Sequence, residues 1–165
     1  MIKIIKAHKI ADYKLIAQLA ATIWREHYTS IIGSNQVEYM LAKYQSASAI
    51  EEQVKLGFNY FMVTYQEKPV AYLSFKEEID SLFLSKIYVL SNYRGMNIGK
   101  TAMVFIEKKA VEIGCNKISL TVNKYNTSSI NIYEKIGFQN MGSIINDIGN
   151  GFVMDDYIME KIIVK

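Results

Sequence analysis

Apolar and polar positions change period several times along this chain, and each change marks an element. Met1-Ile2-Lys3-Ile4-Ile5-Lys6 alternates, so Ile2 to Ala7 is expected to be a strand. From Asp12, a residue suited to capping, Leu15, Ile16, Leu19, Ile23 and Trp24 recur at helical spacing as far as about Arg25. Glu26 to Ser34 is richer in polar and aromatic residues, and Gly33-Ser34 breaks the pattern. Ser34 is then expected to cap a second helix containing Val37, Tyr39, Met40, Leu41 and Tyr44, and a third spans Ala47 to Leu56, ended by Gly57.

The period next shortens to two. Asn59 to Tyr65 and Val70 to Glu77 read as a hairpin joined by Gln66-Glu67-Lys68-Pro69, with an acidic loop, Glu77 to Ser81, behind it. Leu82 to Val89 is a run of β-formers that stops at Ser91-Asn92, before a glycine-containing turn and a helix from about Gly99 to Ile113. That helix should bury Ala102, Met103, Phe105, Ile106, Ala110 and Ile113. Lys117 to Val122 is a strand, Ser128 to Ile136 a helix, and Gln139 to Ile145 and Gly151 to Val164 two antiparallel strands linked around Asn146 to Gly151. Periodicity alone therefore gives an α+β domain.

The strand, glycine turn and helix centred on Tyr88 to Lys100 form the stretch with the clearest chemistry. Backbone amides of such a turn, with the positive end of a helix dipole behind them, hold phosphate oxygens, so an anionic cofactor is the expected guest. Arg94-x-x-Asn97-x-Gly99 resembles the Q/R-x-x-G-x-G/A loop with which the GCN5-related N-acetyltransferases (GNAT) bind the pyrophosphate of acetyl-CoA. Asn126-Thr127-Ser128-Ser129-Ile130-Asn131-Ile132-Tyr133-Glu134-Lys135-Ile136-Gly137-Phe138 resembles that family's N-x-x-x-x-x-x-Y-E-K-x-G-F segment. The two matches stand in the family's order, one helix and one strand apart. Asn97 replaces the first motif glycine; asparagine tolerates positive φ better than most residues, but its side chain would stand near the phosphates.

The resemblance implies a mixed sheet of about seven strands with helices on both faces, and acetyl-CoA as co-substrate. It further implies that backbone groups of Ile87, Tyr88 and Val89 pair with the pantetheine arm and that the Val89 amide faces the acetyl carbonyl. Arg94, Gly95, Met96, Asn97, Ile98, Gly99, Lys100 and Thr101 would hold the phosphates, and Asn126 and Ser129 would contact the cofactor arm. Tyr133 falls on the position of the family's general acid. A phenol of pKa about 10 protonates or hydrogen-bonds a departing thiolate whose own pKa is about 8.5. The competing readings are a core aromatic for Tyr133, a helix cap for Asn126 and simple solvation for Lys100.

Composition narrows the function. The 165 residues suit one domain; half are apolar and 21% charged, a globular profile. No apolar run is long enough to cross a bilayer, and no export signal is visible, so the cytoplasm is the expected compartment. Cys115 is the sole cysteine, which excludes an internal disulfide and a cysteine-based metal cage; no metal is expected. The net charge of +3 is dispersed and forms no basic stripe with aromatic platforms, so no nucleic-acid partner is expected, and the lack of a bilayer-length apolar run leaves no membrane partner expected either.

Phe83, Leu84 and Ser85 stand where many relatives place a strand-four glutamate, so no carboxylate is ready there to deprotonate the acceptor. Glu26, His27, Glu77 and Asp155 are the candidates for that base and for binding a cationic substrate, each against the alternative of surface solvation. The ending Phe152 to Glu160 and the aromatic segment Trp24 to Tyr28 also resemble PaiA-type polyamine acetyltransferases. The expected activity is therefore transfer of acetyl to a primary amine, a small polyamine first, a protein N-terminus or lysine next and an amino-sugar antibiotic third. A non-catalytic acyl-CoA sensor and a structural, dimer-forming domain are the alternatives; a homodimer is compatible with any of them.

Overall fold

The computed structural model describes Met1–Ile163. Its elements run β1 (Ile2–Lys6), α1 (Ile10–Ile32), α2 (Ser34–Tyr44), α3 (Ala47–Lys55), β2 (Phe58–Tyr65), β3 (Lys68–Glu77), β4 (Ser81–Val89), a 3-10 turn (Ser91–Tyr93), α4 (Ile98–Ile113), β5 (Lys117–Asn123), α5 (Thr127–Lys135), β6 (Gln139–Gly149) and β7 (Phe152–Ile162). The strands form one mixed seven-stranded sheet in the order β1-β2-β3-β4-β5-β7-β6, as the sequence led us to expect of the fold class. The Gly151 to Val164 strand expectation is met from Phe152 to Ile162; Val164 lies outside the described residues. No helix among the described residues is long and apolar enough to cross a membrane.

The chain divides into two compact units. The first comprises Met1–Lys76 and Ser85–Ile106, and the second Glu77–Leu84 and the chain from Glu107 onward, so β4 and α4 each contribute to both. In the first unit Ile16, Ala20, Trp24 and Tyr28 sit four residues apart on one buried stripe of α1. This stripe continues past Arg25, which is why α1 runs to Ile32 rather than ending where polar residues begin. Gly33, at φ 84°, stops it in a backbone conformation that favours glycine. α1 also starts earlier than expected: Asp12 lies in the first turn, and its carboxylate accepts from the backbone N–H of His8 (3.0 Å) and Lys9 (3.3 Å). Ser34 is likewise the first residue of α2, behind Gly33 at the cap.

The β2–β3 turn is shorter than the expected four residues. Gln66 and Glu67 alone make it, both at positive φ (50° and 67°), and Pro69 sits within β3 opposite Thr64. A register shift between Val63 and Thr64 falls beside the proline, which has no N–H to give to a ladder. On one face of this unit Phe61 stacks on Phe75 and meets Phe105 of α4 edge-on. Phe105 itself is only half-buried, as is Ile113, while Ala102, Met103, Ile106 and Ala110 are buried as their spacing predicts.

In the second unit β4 pairs in parallel with β5 from Ser81↔Lys117 to Phe83↔Ser119, and β5 pairs with β7 along its whole length. Leu82, Ile118, Leu120, Val122 and Met159 supply much of its core. β6 and β7 meet in a two-residue turn, Asn150-Gly151, both at positive φ. The loop expected over Asn146 to Gly151 is thus mostly strand. A register shift between Asp147 and Gly149, where the Asp147 carboxylate accepts the Gly149 N–H at 2.8 Å, disguises it in the sequence.

Candidate acyl-transfer site

In the first unit, β4 ends in a compact turn. The Leu90 N–H donates to the Val70 carbonyl (2.9 Å), Tyr93 N–H to Leu90 (2.9 Å) and Arg94 N–H to Ser91 (3.3 Å), which pins the chain as far as Arg94. Gly95 (φ 79°) and Asn97 (φ 64°) then turn it into α4. Asn97 therefore occupies the left-handed conformation that the family glycine would take without cost. Its carbonyl is held twice by Thr101, through the N–H (2.9 Å) and the hydroxyl (2.8 Å).

Between the last pinned amide, at Arg94, and the first one of α4, at Thr101, six consecutive amides from Gly95 to Lys100 donate to no described residue. Orphan amides are expected over a helix's first turn, but here the left-handed turn ahead of α4 extends the run. The first turn of α4 carries no acidic residue, and the Arg94 and Lys100 side chains are exposed beside it. Such a strip holds several anionic oxygens at once; one phosphate at a helix end needs fewer donors.

Upstream on β4, Ile87, Tyr88 and Val89 follow the stretch whose register with β5 ends at Phe83. The Tyr88 ring packs against Trp24 (centroids 5.6 Å), Tyr28 (6.0 Å) and Tyr72 (5.6 Å), and its hydroxyl lies 3.2 Å from that of Tyr28. Behind this cluster runs a buried polar chain. Trp24 Nε1–H donates to the Tyr72 hydroxyl (3.0 Å), which donates to Gln45 Oε1 (2.8 Å). Lys86 Nζ donates to the Tyr60 hydroxyl (2.9 Å), which donates to Gln53 Oε1 (2.5 Å). Burial pushes the Tyr60 phenol up to about 12 and, by the same cause with opposite sign, the Lys86 ammonium down to about 7. On α1, His27 meets the Tyr28 ring edge-on at 4.8 Å, and Glu26 is exposed.

In the second unit Asn126 stands at the cap position of α5 and is 2% exposed, yet its side chain accepts no helix amide. It accepts the Ser128 hydroxyl at 3.4 Å instead, so capping does not account for it. Tyr133 is not a core aromatic: α5 buries no residue fully, and the Tyr133 ring, half-buried, rests against Phe138 at 5.4 Å. The Tyr133 carbonyl accepts the Phe138 N–H (3.0 Å), which closes the exit turn through Gly137 at φ 106°. Ser129 is half-buried one turn earlier on the same helix.

The remaining sequence candidates fare differently. Asp155 is held by Lys124 at 2.8 Å, an ion pair that ties β7 to the residue after β5. Glu77 is exposed and lines an open cleft with Glu78, Ile79, Asp80, Ile113, Gly114 and Cys115. Next to Asp155 on β7 stands a second carboxylate, Asp156, which the sequence sets among the acidic side chains suited to a cationic amine without telling it from Asp155. Asp156 is 4% exposed, accepts no hydrogen bond from any described residue, and is pushed up to about 6 by burial first and the neighbouring Asp155 second. Strand alternation alone offered a signal for it: of two adjacent aspartates in a strand, one must face inward.

A family model described as "Acetyltransferase (GNAT) family" matches residues 17–138, a span that contains both sequence motifs and all of β4 and α4. The chain belongs to the GNAT acetyltransferase family. With the family come its enzyme class, acetyl-CoA-dependent N-acyltransferase, and acetyl-CoA as co-substrate. Among curated relatives, the spermidine N(1)-acetyltransferase of Thermoplasma acidophilum is 24% identical over 162 residues, 95% of each chain. The mouse thialysine N-epsilon-acetyltransferase is 31% identical over 61 residues, 37% of this chain and 36% of the relative, so the chain matches only about a third of that protein. Among solved structures, the PaiA N-acetyltransferase of T. acidophilum in complex with coenzyme A has a TM-score of 0.80 at 22% identity, covering 98% of this chain and 99% of that one. At that identity the likeness establishes the shared GNAT fold.

Proposed function

We propose that this chain acts as one acetyltransferase domain that acetylates a primary amine on a small polyamine. The observation that carries the reading is the run of six unengaged amides from Gly95 to Lys100 at the positive end of α4. A coenzyme A pyrophosphate presents several anionic oxygens, and this strip, with Arg94 and Lys100 beside it, has the donors and the charge to match. When bound, acetyl-CoA supplies an acetyl group activated as a thioester.

The chain's own groups then do three things. Backbone groups of Ile87, Tyr88 and Val89 hold the pantetheine arm as an added strand, a role supported by a β4–β5 register that ends at Phe83. The Val89 amide stabilises negative charge on the acetyl oxygen as the amine attacks. The Tyr133 hydroxyl gives its proton to the leaving thiolate, and the Asn126 and Ser129 side chains steady the arm. Thr101 braces the phosphate strip through its two bonds to Asn97. The polyamine acceptor is supported by the full-length match to a spermidine acetyltransferase and by the exposed acidic side chains Glu26 and Glu77; His27 stands beside Glu26 on α1, whereas Asp155 is engaged by Lys124.

The test is thiol release from acetyl-CoA measured across an amine panel: spermidine, spermine, a peptide with a free N-terminus, a lysine peptide and an aminoglycoside. Release with spermidine ahead of the others supports the proposal. Tight acetyl-CoA binding with no release on any amine refutes it in favour of a sensor, and no shift in melting temperature with acetyl-CoA refutes cofactor binding altogether.

A further inference from the structure

A carboxylate held largely out of solvent with no charged partner is a candidate for chemistry, because its proton affinity is raised while its oxygens can still be reached. Asp156 lies mid-strand in β7, directly opposite Asn123 of β5 and Ile144 of β6. With 4% of its surface exposed, it receives neither a hydrogen bond nor an ion pair from any described residue. The charged groups on the strands around it are spoken for. Asp155 is held by Lys124 (2.8 Å), Glu160 by Lys117 (3.0 Å), and the Asp147 carboxylate takes the Gly149 N–H (2.8 Å). No cation of β5, β6 or β7 neutralises it, and Asn123 has its side-chain oxygen turned to the Tyr125 N–H (2.9 Å). The strand-four position that serves many relatives as a base holds only Phe83, Leu84 and Ser85, so no carboxylate stands there to take the proton.

We propose that Asp156 is the catalytic base of this enzyme, binding the ammonium of the acceptor amine and taking its proton. The inference rests on the amine-acetylation reading and deepens it. The protonated acceptor transfers one proton to the Asp156 carboxylate and becomes a neutral amine. Its nitrogen attacks the thioester carbonyl, the C–N bond forms and the C–S bond breaks. The second proton shed by that nitrogen replaces the one Tyr133 gives to the thiolate. Asp156 returns its own proton to water, so one proton is released per turnover. A carboxyl whose affinity for protons is raised towards neutrality is a better acceptor than an ordinary aspartate, since base strength tracks pKa.

Asp156→Asn is close to isosteric and mimics the protonated carboxyl. With spermidine as acceptor, kcat/KM is expected to fall at least ~100-fold at neutral pH, with acetyl-CoA affinity unchanged. The wild-type profile should lose activity below pH about 6 as the carboxylate protonates, and that limb should be missing from the variant. Independently of turnover, carbon-13 NMR titration of Asp156 in the wild-type protein should show its pKa falling when spermidine is added, because a bound cation favours the carboxylate. A variant within about threefold of wild type, a persistent acid limb or an Asp156 titration indifferent to spermidine overturns the assignment while leaving acetylation intact. Absence of wild-type turnover on every amine overturns the acetylation reading and the assignment with it.

Discussion

Replacing Lys86 with methionine removes an amine whose charged form the fold disfavours. The Lys86 amine reaches Tyr60 and lies 5.2 Å from its ring centre, with no carboxylate of the described residues paired to it, and burial lowers its pKa from 10.5 to about 7. Between those two values the unfolded chain carries a proton that the folded chain has released. Native stability therefore rises with pH across this window, by about 1.4 kcal/mol per unit for the one proton. Over about 3.5 units the ceiling on the cost is roughly 5 kcal/mol, which water at the partly exposed stem trims. Methionine fills similar volume and never titrates, so Lys86→Met should be the more stable protein at pH 7. Its advantage should shrink by ~2 kcal/mol by pH 9 and stop growing below pH 7, where both states of the lysine are protonated. Urea unfolding of both proteins at pH 6, 7, 8 and 9 reads this difference directly, and the slope is insensitive to small packing changes made by the substitution. A gap that stays constant within about 0.5 kcal/mol from pH 7 to pH 9 would refute the claim that Lys86 is held neutral.

Tyr133→Phe should lower kcat by ~10–100-fold while acetyl-CoA affinity stays nearly unchanged, because the proposed proton donor would act only as the thiolate departs; stopped-flow thiol detection with binding calorimetry checks both. Asn97→Gly should relieve a left-handed asparagine at φ 64° and leave thermal stability equal or higher by up to about 1 kcal/mol, with acetyl-CoA bound at least as tightly. A drop in affinity would show that the Asn97 side chain contributes to the phosphate strip. Tyr72→Phe strands the Trp24 N–H donor and the Gln45 acceptor in the core, so it should cost about 2–4 kcal/mol in chemical denaturation, well beyond a surface Tyr→Phe change.

The motifs made β4, the glycine turn and α4 legible because their residue types are dictated locally: glycine or asparagine where φ is positive, small residues where a helix begins. Element type was readable almost throughout, since the period of apolar residues survives without tertiary information. Boundaries were harder where tertiary burial outweighed local polarity. Tyr28 prolongs α1 because it is buried four residues beyond Trp24, and nothing in Arg25-Glu26-His27 announces that. Pro69 read as turn chemistry, yet a register shift lets it lie in a strand. On β7, Asp155 and Asp156 were interchangeable on paper. Only the arrival of Lys124 from the end of β5 decides that one is neutralised and the other is not. Lys86 read as an ordinary strand residue until Tyr60 and Gln53, from β2 and α3, closed around its nitrogen.

The order of strands also sets when each strand can meet its neighbour during synthesis. β6 and β7 are joined by a two-residue turn and can zip as soon as both are made, but β5 has its antiparallel neighbour only in β7, with Lys117 waiting for Ile162 and Asn123 for Asp156. Until then the apolar side chains of β5 have no cover from that edge, so a nascent chain stalled after α5 should recruit holding chaperones and resist release, whereas one extended through β7 should not.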